Sequence, residues 1–158
     1  MMHHGRKGTR RCVLAVMVPA ISLIFLAFPS GAFFHNAPDI EGGQAIYTAR
    51  CAACHGANLE GQPDWQSAND DGTYPAPPHD DTGHTWHHGD AMLRGYIRRG
   101  GQAVLNDMDV DFTSGMPGFA DVLTDAEIEV VLDYIKSTWP DRIRAAQADR
   151  SRQEAVPP

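Results

Sequence analysis

The sequence predicts an all-α domain of about three to four helices with one long Pro/His-rich loop. Three observations lead there. Three segments carry apolar residues at helical spacing, no segment alternates as a strand does, and residues 57–89 are dense in Gly, Pro, Asp and Asn. So few large aliphatics between residues 56 and 89 leave little material for a core. Such a chain buries more if something apolar sits at its centre.

The chain of 158 residues has room for one domain plus attachments. Residues 1–11 carry Arg6, Lys7, Arg10 and Arg11 and no acid, and an apolar run follows over 13–28. The break at "PSGA" puts Ser30 and Ala32 at the small-residue positions of a signal-peptide cleavage site. Residues 1–32 are therefore read as a secretory signal peptide. The competing reading is an uncleaved membrane anchor over 13–34, long enough to cross a bilayer. Both export the remainder, to the periplasm or to its membrane face. Cys12 precedes the apolar run and leaves with the leader, so Cys51 and Cys54 remain. If residues 1–32 are cleaved, four bases and no acid are lost, leaving nine Lys/Arg against 20 Asp/Glu, a net charge of about −11. Such a surface repels nucleic acid and anionic lipid and suits a partner with a basic docking surface. Contact with a membrane is expected only through the N-terminal segment, if that segment stays uncleaved.

The first helix is expected over 40–55, where Ile46, Ala49 and Ala53 share a face beside Tyr47, with Gly43 one turn earlier. A loop as long as 57–89 in a small domain is usually functional or wrapped around something. The second helix runs over 90–99 on Met92, Leu93, Tyr96 and Ile97, and Gly100 and Gly101 end it. Residues 102–123 read as irregular. The last helix is the clearest. Thr124 and Glu127 form a Thr-x-x-Glu capping box, Ile128, Val131, Leu132 and Ile135 fall on one face, and Pro140 stops it. Losing that cap costs about 0.5–2 kcal/mol. Residues 39–140 thus make one domain, and the charged 141–158 segment, without aliphatic periodicity, is expected to be a disordered tail.

Within this frame stands "RCAACHG" at residues 50–56. Zinc wants four ligands, and no third cysteine remains to help supply them. A redox dithiol normally sits at a helix start beside a strand, and a plain disulfide leaves His55 without a role. Haem attachment uses all three residues. On one helical turn Cys51 and Cys54 can each form a thioether to a haem vinyl group, and His55 reaches the iron; the spacing is the c-type haem signature. One covalent haem c is therefore expected. Its second axial ligand has several candidates. Met92 sits at core spacing and Met108 stands among Asp107, Asp109 and Asp111. Met116 lies in "SGMPGF", between a flexible Gly115 and a stiffening Pro117, where a loop held at both ends can present its sulfur. The loop histidines are candidates too.

These segments resemble class I cytochromes c. "GQAIYTARCAACHG" is similar to the opening helix of that family, "SGMPGF" to its methionine loop and "VLDYIKSTW" to its closing helix. The resemblance spans about residues 40–139. It implies the class I cytochrome c fold wrapped around one haem, with His55 and Met116 as axial ligands and the first and last helices crossing where Gly43 meets Tyr134. The insert "PAPPHDDTGHTWHHGD" departs from the minimal pattern of the family.

The function this implies is electron transfer by a mono-haem carrier, not itself an enzyme, in a respiratory or other redox chain. A place as redox subunit of a larger oxidoreductase is compatible with that. The alternative is an open-site haem protein, peroxidase-like or gas-binding. A third reading gives the loop a metal site built from His79, His84, His87 and His88. Against it stands a polar loop in which those histidines and Trp86 pack on the haem or hydrogen-bond its propionates. Trp65 and Trp139 read as packing residues, and Arg94, Arg98 and Arg99 as a solvated face.

Overall fold

The computed structural model describes residues 1–2 and 37–155. The signal-peptide and anchor readings over 1–32 and 13–34 fall outside the described residues. Among those described, no helix is long and apolar enough to cross a membrane.

Among the described residues six helices form in chain order: α1 (Ile40–Arg50), α2 (Ala52–His55), α3 (Asp90–Arg99), α4 (Gly101–Asp107), α5 (Asp125–Ser137) and α6 (Asp141–Glu154). A single 3-10 turn, Thr85–His87, precedes α3. β1 (Thr73–Tyr74) pairs in parallel with β2 (Thr113–Ser114), and beside the pair the rings of Tyr74 and Phe112 stack at 4.1 Å. Two residues a strand are too few to leave an alternating pattern in the sequence. The all-α expectation holds.

α1 starts where Asp39 accepts a hydrogen bond from the Gly42 N–H at 2.9 Å, satisfying one orphan donor of the first turn. α5 starts with the expected box: Glu127 N donates to Thr124 Oγ1 at 3.3 Å, and Thr124 N to Glu127 Oε2 at 2.8 Å. The two helices cross at Gly43. A Cβ there would stand 2.3 Å from the Val130 carbonyl oxygen and 2.6 Å from Tyr134 Cβ. Only glycine lets the backbones approach so closely. One turn on, the rings of Tyr47 and Tyr134 meet at 5.5 Å. Around this crossing Tyr47, Ile128, Val131, Leu132, Ile135, Trp139 and Ile143 are buried, joined by Leu59, Leu93, Ile97 and Leu123.

The structure corrects two expectations. Residues 101–107 are helical rather than irregular, because the chain turns at Gly100, with φ +83°, and starts a new helix instead of stopping. Seven residues with Val104 and Leu105 as buried anchors are too short for a readable period. The second correction concerns 141–158. Residues 141–154 form helix α6, with Ile143 and Gln147 both buried. One aliphatic makes no apolar stripe, so the sequence pattern gave no sign of docking. What holds the helix is one buried isoleucine and a set of polar bonds to the start of α3.

Candidate haem site

His55 ends α2, eight residues after Tyr47, and its side chain is 7% exposed. Its Nδ1 lies 2.8 Å from the carbonyl oxygen of Pro77. A carbonyl only accepts, so Nδ1 carries the proton and Nε2 keeps its lone pair for a metal. Burial holds the imidazole below its usual pKa, with the Pro77 bond opposing in part, so the ring is neutral as a ligand must be. The turn after His55 is fixed from two sides. Gly61 N donates to the His55 carbonyl at 2.8 Å, and Tyr47 Oη donates to that of Gly56 at 2.9 Å.

Cys51 and Cys54 are free thiols, Cys51 half-buried and Cys54 exposed. Burial and the neighbouring Cys54 push the Cys51 thiol up to about 11. It stays protonated at neutral pH.

The methionine loop is strapped to the junction of α3 and α4. Gly101 N donates to the Met116 carbonyl at 3.0 Å, and Met116 N to Ser114 Oγ at 3.2 Å. Beyond it, Phe119 N and Ala120 N donate to the carbonyls of Ile97 and Arg98. Glycine is needed at the seam: a Cβ at Gly100 would stand 2.8 Å from Gly118 N. Met116 is partly buried against the central core, as are Phe119, Cys51, Ala52 and Trp86. Met108 is exposed.

The four loop histidines part company. His79 stacks on the His55 ring at 3.9 Å between centroids and 20° between planes. Its Nδ1 sits 2.6 Å from Thr85 Oγ1, and its carbonyl accepts from Trp139 Nε1 at 2.7 Å. His84, His87 and His88 form a separate group, with ring centroids 5.0 Å apart for His84 and His87 and 4.8 Å for His84 and His88. Among the described residues, no three His, Cys, Asp or Glu side chains are grouped as a metal ion requires. Arg94, Arg98 and Arg99 pair with Glu129, Asp125 and Asp107.

Burial first, then His84, His87 and Arg150, hold His88 down at about 4. Unfolded, the same ring takes its proton near 6.5. Between these values the unfolded chain binds a proton that the folded chain refuses, so stability falls as pH drops through 6.5 to 4. After discounting for solvent the loss is about 1–2 kcal/mol. Across that range the denaturant midpoint of wild type should fall further than that of His88→Asn, which has no proton to take up there.

The donor set fits a covalently held haem: two free thiols and an imidazole with one nitrogen tied back. A further observation agrees. Trp86 Nε1 is buried and has no hydrogen-bond partner among the described residues. A buried N–H without an acceptor is costly, and a haem carboxylate is an acceptor of the right kind. Pro77, Thr85 and the strap on Met116 went unread in the sequence. A backbone carbonyl 22 residues from its histidine, a threonine hydroxyl and main-chain straps leave no motif.

No curated protein and no solved structure matches the chain. The family model for cytochrome c matches residues 40–139, from the first residue of α1 to Trp139. The chain belongs to the cytochrome c family, and its domain holds a covalently attached haem c.

Proposed function

We propose that the protein is a mono-haem electron carrier with His55 and Met116 as axial ligands, working in a respiratory or other redox chain. Haem c electron transfer in general follows from the family. The finer reading is supported chiefly by the His55–Pro77 bond, which turns Nε2 into the free nitrogen and fixes the ring's orientation. A haem so held supplies the one-electron couple. Cys51 and Cys54 would anchor it, Met116 would be its second protein ligand and would raise the potential relative to two histidines, and Tyr47 and Gly61 hold the turn after His55. With both axial places filled, the iron has no open position for a substrate.

Export to the periplasm agrees with the basic, apolar and small-residue order of residues 1–32. The acidic chain, at net −7 with the leader counted, suits a redox partner with a basic docking surface. Stopped-flow electron exchange with a lysine-rich redox protein should slow steeply as salt rises, while exchange with ferricyanide should not. A salt-independent rate with the basic partner contradicts the docking part of the proposal. Failure of both reactions contradicts the carrier itself.

A further inference from the structure

Helix α6 lies beyond the stretch that matches the family, which ends at residue 139. Its polar side chains nevertheless converge on one short segment of backbone. Glu154 accepts from Gly89 N at 3.1 Å and from Ala91 N at 2.9 Å, through its two carboxylate oxygens. Ser151 Oγ accepts from Asp90 N at 3.0 Å. Gln147 Nε2 donates to the His88 carbonyl at 3.2 Å and to Asp90 Oδ1 at 2.7 Å. Gln147 is 3% exposed, so its own bonds are shielded from water, while Glu154 makes its bonds at the surface.

The bonds answer a local need. Gly89, the residue at the N-cap of α3, has no side chain to cap the helix, and the first-turn N–H groups of any helix lack intrahelical partners. α6 supplies their acceptors from outside. The same bonds pin the exit of the 3-10 turn Thr85–His87, whose middle residue is Trp86. That indole packs against the core, and its buried N–H has no partner among the described residues.

We infer that α6 is a clamp that positions Trp86: Gln147, Ser151 and Glu154 hold the turn so that the indole N–H donates to a haem carboxylate, and through it they set the potential of the iron. The inference rests on the haem reading above. A donor to the carboxylate withdraws its negative charge from the iron. Without that donor the charge favours Fe(III), and the potential falls.

The test uses the full-length holoprotein and two readouts, amide exchange at Gly89 and Ala91 and the midpoint potential. Glu154→Ala should speed exchange at both amides about tenfold or more and lower the potential. Glu154→Gln keeps one acceptor oxygen of the two, so it should re-protect one amide and restore the potential in part. Trp86→Phe should lower the potential while leaving the two amides protected. Adding Glu154→Ala to Trp86→Phe should then shift the potential no further, because both act through one indole. Faster exchange in Glu154→Ala with the wild-type potential would reduce α6 to a stabilising appendage and overturn the inference. Additive shifts in the double variant, or an unchanged potential in Trp86→Phe, overturn it as well. A wrong axial ligand would show in the absorption spectrum, and the exchange readout would still report the clamp.

Discussion

Gly43→Ala should destabilise the protein by about 2–4 kcal/mol, lowering the melting temperature by roughly 10 °C. The added methyl group meets a backbone oxygen at 2.3 Å and a Cβ at 2.6 Å. Neither can swing aside as the tip of a side chain could, so α1 and α5 must separate. The sign is informative because intrinsic preference runs the other way. Alanine in a helix interior is favoured over glycine by about 0.5–1 kcal/mol. Gly95→Ala supplies the control. In the middle of α3 its Cβ would find nothing closer than 3.6 Å, and that variant should gain stability by about the intrinsic preference. A neutral or stabilising Gly43→Ala contradicts the tight crossing.

The second large effect concerns attachment. In Cys51→Ala/Cys54→Ala the protein should carry no covalent haem, and acidified solvent should extract all that remains bound. Each single variant should retain one thioether and its haem on a denaturing gel. Cys54 is exposed and Cys51 loses only its sulfur at the edge of the core, and a melting curve of the double variant separates loss of attachment from loss of fold. Haem that stays covalently bound in the double variant contradicts the role given to the pair.

How much of this was legible follows from the kind of interaction in each part. α3 and α5 could be read because each buries a stripe of side chains, and the Thr124 box announces its helix three residues ahead. Gly43 and Tyr134 were placed together by family resemblance, and the 2.3 and 2.6 Å approaches give the reason glycine stands there. α4 and α6 were missed for opposite causes. α4 is too short to show a period, and α6 docks through Gln147, Ser151 and Glu154, which in a sequence look like any charged surface. The site divides the same way. The Cys-x-x-Cys-His spacing is local and visible. The Pro77 carbonyl beneath His55 and the Gly101 amide on Met116 are main-chain groups that any residue type could have offered. Composition alone could not divide the histidine-rich insert, in which His79 faces inward to His55 and Thr85 while His84, His87 and His88 gather elsewhere.

The most direct test is the absorption spectrum of the purified protein, oxidised and reduced, with and without carbon monoxide, beside Met116→Ala. A carrier with His55 and Met116 on the iron gives a low-spin spectrum with a sulfur-to-iron charge-transfer band. The band disappears in Met116→Ala, and the wild-type spectrum is indifferent to carbon monoxide. A high-spin wild type, rapid carbon monoxide binding by it, or a band that survives Met116→Ala would contradict the assignment.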